Sequence, residues 1–187
     1  MSPEASFAHP ENRPADVVDA PQVVRHTLAD DGTFPNNGAL PLLAYPGAVL
    51  LPDVNPAAAL EELFHANGWG DSWRNGVYSF HHYHSTAHEV LGVYRGSARL
   101  QLGGEEGPVF EVQPGDVVII PAGVAHKNLG TRGGFGVVGA YPAGQRPDMN
   151  DGRPGERPRA DREIVQVTLP AADPLYGEQG PLLEHWS

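Results

Sequence analysis

Between residues 77 and 141 the chain is cut into seven short extended runs: VYSFHHYH (77–84), EVLGVYRG (89–96), ARLQLGG (98–104), PVFEV (108–112), DVVIIP (116–121), AHKNLG (125–130) and GFGVVGAY (134–141). Glycine, proline and polar turn residues separate them at close spacing. Such a series leaves no room for long helices and points to a mainly β sandwich or barrel. The 23 glycines and 19 prolines of the 187 residues agree with many turns joining short strands. A chain of this length fits one compact domain with decorated ends and can bury a sizeable core.

The balance of charge narrows the partners. Twelve basic residues against 23 acidic ones leave a formal charge of −11, which repels phosphate backbones and anionic membrane surfaces. Nucleic acid and membrane are therefore not expected partners. The chain has no cysteine, so disulfides and thiolate chemistry are excluded and any metal would have to be held by nitrogen and oxygen. The opening residues lack a basic start followed by an apolar run, and no stretch approaches the roughly 18 apolar residues of a membrane span. A cytoplasmic protein is the simplest expectation.

Residues 1–21 are rich in proline, alanine and acidic residues without apolar period, and read as a flexible arm. Residues 22–187 then read as one domain. Its first part, 22–52, carries short apolar pieces broken by turn signals, expected as edge strands. One helix follows, with Asn55 as cap, Pro56 in the first turn, Leu60, Leu63 and Phe64 on one face, and Asn67-Gly68 as the stop. GWGDSWRNG (68–76) reads as a loop and 142–161 as a surface loop. In REIVQVTLP the alternation of Val165, Val167 and Leu169 predicts one more strand. No internal repeat is visible.

The stretch FHHYHSTAHEV (80–90) carries the chemistry. On an extended strand, side chains two apart share a face and their α-carbons lie about 7 Å apart. His82 and His84 can thus converge on one ion, with Tyr78 and Phe80 on the same face as an aromatic strip. Ser85–His88 can turn the chain so that Glu89 contributes a carboxylate, and the Pro-Ala-Gly turn at 121–123 can return His126 as a third imidazole. Three histidines and a carboxylate suit one divalent transition metal, with iron, manganese, nickel, cobalt and zinc all compatible.

Gly76, His82, His84, Glu89 and Gly96 stand as G(x)5HxH(x)4E(x)6G, and Gly115, Pro121, Gly123 and His126 as G(x)5PxG(x)2H. These resemble the two signature motifs of the cupin superfamily. The resemblance implies an RmlC-like double-stranded β-helix, or jelly roll, with a motif core at 76–141, one or two peripheral helices, and a metal held by His82, His84, Glu89 and His126. The second motif usually continues with an asparagine four residues after its histidine, whereas here Asn128 follows at two. RNGVYSFHHYHSTAHEVLGVYRGSARLQLGG and PAGVAHKNLG are also similar to a bacterial subgroup, the YjlB-type cupins, whose members generally carry no assigned reaction.

Around the ligands, His88 is a candidate for orienting Glu89 or moving a proton, or else a turn histidine. Tyr141 offers a phenol to substrate or packs in the core. Arg74 presents a guanidinium fork to a carboxylate or merely caps strands with Trp73, and Asn128 shares the parity of His126. His81 and Tyr83, of opposite parity to the ligands, are expected on the other face. The resemblance implies an enzyme acting on a small oxygen-rich or anionic molecule by dioxygenase, decarboxylase or isomerase chemistry. The alternatives are a cupin that binds or senses a small molecule or metal without turnover, and a metal-free, epimerase-like cupin with a histidine base. Uncovered edge strands at 22–51 lead to the expectation of a homodimer.

Overall fold

The computed structural model describes residues 15–187. The elements follow the order β1 (Asp16–Val17), β2 (Val24–Leu28), β3 (Asn37–Tyr45), β4 (Val49–Leu50), α1 (Pro56–Ala66), β5 (Trp69–Asn75), β6 (Glu89–Leu102), β7 (Val109–Val112), β8 (Val117–Ile120), β9 (His126–Pro142), α2 (Arg159–Ile164) and α3 (Pro181–His185). The main sheet runs β2-β3-β8-β6-β9-β5, with β7 pairing β6, and β1 pairs β4 separately. All of these pairings are antiparallel. The first 14 residues of the expected arm lie outside the described residues, and Asp16–Val17 pair with Val49–Leu50.

Two long strands organise this jelly roll. Its β6 pairs with β8 along Glu89–Gly92 and with β7 along Ala98–Gln101, while β9 accompanies it on the other side throughout. The β6–β9 register shifts three times, between Val93 and Leu100, and such bulges bend and twist a strand so that it can serve two halves of a curled sheet. Gly96 sits within these shifts at φ 65°, where an added Cβ would lie 2.4 Å from the carbonyl oxygen of Arg132. The last glycine of the first motif is thus required by backbone approach. The runs 89–96 and 98–104 form one continuous strand as a result, as do 125–130 and 134–141.

Alternation along the strands splits the core in two. Leu42, Ala44, Leu91, Val93, Val118 and Ile120 pack together on one side. Leu43, Tyr45, Val90, Val117, Ile119 and Val138 face the other side, where Leu60 and Phe64 of α1 cover them. Because β8 is buried on both sides, VVII is uniformly apolar instead of alternating. The helix lies directly on β6, since a Cβ at Gly92 would come within 2.8 Å of the Phe64 ring.

Four local expectations are corrected. Asn55 takes a left-handed conformation at φ 53° and makes no side-chain cap. Residues 69–75 form β5 rather than a loop, because β9 offers an edge and Trp69 is buried in the core under α1. Residues 77–84 are not a strand: their only ladder pairs are the single bridges His82 to His126 and Tyr83 to Asn150. The segment 162–170 contributes the end of α2 instead of a strand. There Arg157–Asp161 and Arg159–Glu163 pair at i,i+4 spacing, which favours helix, and Val165 is 82% exposed. No helix among the described residues is long and apolar enough to cross a membrane.

Candidate metal centre

The segment carrying His82 and His84 runs from β5 to β6 and is stitched to the start of β9. The His126 N–H donates to the His82 carbonyl at 2.9 Å, and the His82 N–H to the His126 carbonyl at 3.2 Å. Glu89 is the first residue of β6 and His126 the first of β9. Strand starts thus supply two of the four groups and an adjoining bridge supplies a third, all at one end of the curled sheet. One ring nitrogen from each of His82, His84 and His126 lies within 4.8 Å of the others.

The outer nitrogens are already engaged. Nδ1 of His84 lies 2.5 Å from the Asp148 carbonyl, that of His126 3.1 Å from the Val124 carbonyl, and that of His82 3.4 Å from the Phe80 carbonyl. A protonated Nδ1 donating to a backbone carbonyl fixes the tautomer and leaves the Nε2 lone pair free, the arrangement that metal-bound imidazoles use. Oε2 of Glu89 is 3.2 Å from His126 Nε2 and 3.5 Å from His84 Nε2, yet it is buried without a hydrogen bond of its own. A buried acceptor left this way is costly unless a cation or donor meets it. The three imidazoles and this carboxylate therefore fit a divalent transition metal.

Protonation follows from the same packing. Burial pushes His82 down to about 3, reinforced by repulsion from His126 and His84. Burial opposes charge on His84 as well, but the Glu89 carboxylate outweighs it and raises His84. For Glu89 burial works against ionisation, and the neighbouring His84 and His126 overcome it and hold the carboxyl below its ordinary range.

The long loop after β9 fastens the HxH segment. The Asp148 carboxylate accepts the Ser85 N–H at 2.6 Å and the Asn150 side-chain amide at 2.7 Å. The Ser85 hydroxyl lies 2.6 Å from both Asp148 Oδ2 and Glu163 Oε2, so its one hydrogen can serve either. Thr86 Oγ1 closes the clamp by accepting the Asp148 N–H at 3.0 Å. Asp148 thus grips the turn with its side chain while its carbonyl orients His84.

A cavity of about 300 Å³ opens from these four groups, walled by Trp73, Tyr78, Leu91, Tyr141 and Met149. The Tyr141 hydroxyl accepts a 2.8 Å hydrogen bond from Trp73 Nε1. Burial and the Glu89 carboxylate raise the Tyr141 pKa, so the phenol keeps its proton.

Residues 74–132 match the family described as Cupin domain. The protein named "Uncharacterized protein YjlB" from Bacillus subtilis (strain 168) is 46% identical over 157 residues, which cover 84% of this chain and 92% of that protein. The chain belongs to the YjlB group of cupins. Among solved structures, it is similar to a DUF861 family protein from Thermotoga maritima (24% identity, 50% of this chain and 94% of that one, TM-score 0.30). It is also similar to procruciferin, an 11S globulin from Brassica napus (17% identity, 61% of this chain, TM-score 0.33), of whose length it spans only 23%.

Of the residues singled out from the cupin motifs and their surroundings, His82, His84, Glu89, His126, Tyr78, Arg74 and Tyr141 line one cavity. Phe80, Asn128 and His88 are not brought to it. Phe80 stacks on the outside of Tyr78 at 4.9 Å because the chain bends at 79–80. Asn128 uses Oδ1 to accept the Gly130 N–H at 2.7 Å. His88 points to the opposite side of β6 from Glu89, where its Nδ1 accepts the Ala122 N–H at 2.9 Å and its ring packs on Trp186. There burial pushes it down to about 4. Arg74 is clamped by Glu61 of α1 at 2.7 and 2.6 Å, so that edge of its guanidinium is taken. His81 is buried against Phe34 and lies 3.6 Å from Glu105.

Sequence reasoning missed Asp148 and Met149. A backbone carbonyl leaves no signature in residue type, and the only signal was the length of the 142–161 loop. Replacing Asp148 by Ala is expected to leave the fold intact while weakening divalent-metal affinity about 10–100-fold, measured by competition with a chromophoric chelator. Unchanged affinity would detach the loop from the centre.

Proposed function

We propose that this cupin is a mononuclear metal enzyme acting on a small oxygen-bearing organic molecule by dioxygenase, decarboxylase or isomerase chemistry. The observation that carries the reading is the convergence of three imidazoles, each with Nδ1 directed to a backbone carbonyl, on a buried carboxylate whose Oε2 lacks a hydrogen bond. His82, His84, Glu89 and His126 would hold one ion of iron, manganese, nickel, cobalt or zinc. A bound ion supplies Lewis-acid polarisation of a substrate oxygen.

The chain's own residues do the rest. Leu91, Trp73 and Met149 make the wall that limits water. Tyr141, held by Trp73, presents a protonated phenol beside Glu89 and would give a proton to substrate. His88 has no such role, since it faces away. A site that binds without turnover uses the same ligands, and it is distinguished by the absence of any metal-dependent conversion of bound molecules.

The single-domain reading of 22–187 and a cytoplasmic setting belong to the same proposal. So does a homodimer, supported by β2, which ends the main sheet with one edge unpaired among the described strands. Sedimentation at micromolar concentration is expected to give a dimer; a monomer alone would contradict it.

Purified without chelator and incubated with each ion under anaerobic conditions, the protein is expected to retain about one equivalent of one of them by elemental mass spectrometry. His84→Ala should lose it while remaining folded by circular dichroism. A His84→Ala protein with stoichiometric metal, or a parent protein that takes up none, would overturn the proposal.

A further inference from the structure

The walls of the cavity say more about its ligand than the metal ligands do. Trp73, Val77, Tyr78, Leu91 and Met149 present apolar or aromatic surface. Tyr78 and Phe80 form a stacked pair at 4.9 Å, 52% and 47% exposed, and both rings stand edge-on to His82 at 5.2 and 5.9 Å. Phe80 backs Tyr78 from outside the cavity, so the Tyr78 ring, held in place and half in water beside a candidate metal centre, is surface that a bound ring can cover.

Charge is the second constraint. Apart from the ligand histidines, Arg74 is the one basic side chain lining the cavity among the described residues, and the Glu61 carboxylate neutralises it through Nε and Nη2. Lys127, the basic residue next to His126, is directed away onto Glu105 at 2.6 Å. A divalent ion bound by the Glu89 carboxylate and three neutral imidazoles keeps one net positive charge. That charge matches one oxyanion. Among the described residues no further cation in the wall is left without a carboxylate partner to meet a second carboxylate or a phosphate, whose burial would be costly.

Resting on the metal reading above, we infer that the site takes a single-ring, apolar molecule that carries one negative charge, with its oxygen head at the metal and its ring against Tyr78 and Trp73. This narrows the oxygen-rich or anionic class and excludes sugar phosphates and dicarboxylates. The volume of about 300 Å³ is at the small end for ligand pockets, in keeping with one ring.

Three probes share one α-hydroxycarboxylate head and differ in the group behind it: mandelate carries phenyl, lactate methyl and malate a second carboxylate. Titrated into the cobalt-loaded protein and followed by the visible cobalt spectrum, mandelate is expected to bind at least about tenfold tighter than lactate, and malate more weakly than lactate. Tyr78→Ala should reduce the phenyl advantage to about threefold or less. Glu61→Gln, which frees Arg74, should strengthen malate severalfold and leave mandelate unchanged.

Malate binding as tightly as mandelate, a phenyl preference that survives Tyr78→Ala, or malate affinity unmoved by Glu61→Gln would each overturn the inference. Metal content measured on the same samples separates the two readings. Bound cobalt with malate preferred removes the substrate class alone, whereas failure to bind any ion removes the metal centre and this inference with it.

Discussion

An ionised carboxylate in a dry wall must be met by a charge, and Glu89 is such a group: 2% exposed, its Oε2 without a hydrogen bond, and faced by His84 and His126. Much of the fold can be read as the means of holding that arrangement. The two longest strands begin at Glu89 and His126, and their bulged pairing curls the sheet so that both starts reach one mouth. The third and fourth groups come from a segment with almost no ladder of its own, so the bridge to His126 and the Asp148 clamp do there what neighbouring strands do elsewhere. Rigidity in the strands is thus combined with a ligand segment fastened by side chains.

How much of this was legible in the sequence differs from element to element. The candidate ligand residues were, because HxH, Glu and His stand in two motifs, two of whose glycines have backbone reasons: a Cβ added at Gly96 would lie 2.4 Å from the Arg132 carbonyl oxygen, and one added at Gly123, at φ 93°, 2.3 Å from that of Asn36. The parity argument placed Tyr78 in the cavity and failed for Phe80, since alternation holds only while the chain stays extended. The α1 face was readable from Leu60 and Phe64, but the Asn55 cap was not, because whether a side chain caps depends on a backbone conformation that residue type alone does not dictate. In 162–170, alternating valines suggested a strand, and no helix was expected there; the Arg–Asp and Arg–Glu pairs at i,i+4 spacing in 157–163 favour one. The helix takes residues 162–164, and the valines beyond it form no strand. For Asp148 no pattern existed, as its grip on His84 runs through the main chain.

The same geometry separates candidate roles that a motif leaves mixed. His88 and Glu89 are adjacent, yet the strand sends one to Trp186 and the other to the centre. Arg74 reaches the cavity but is bound to Glu61, so it closes the wall instead of offering a charge. Tyr141, anchored by Trp73, remains as a protonated phenol beside Glu89. On the proposed reading, chemistry at the site is concentrated on the four candidate ligand groups and one phenol, within walls that present apolar and aromatic surface.

The central claim, that three imidazoles and one carboxylate enclose a single ion, is tested most directly by X-ray absorption at the edge of the bound metal. The account predicts a first shell of nitrogen and oxygen only, at about 2.0–2.2 Å, with the outer-shell scattering of three imidazole rings. A shell with the signature of fewer than two imidazoles, or a metal bound by carboxylates alone, would contradict it.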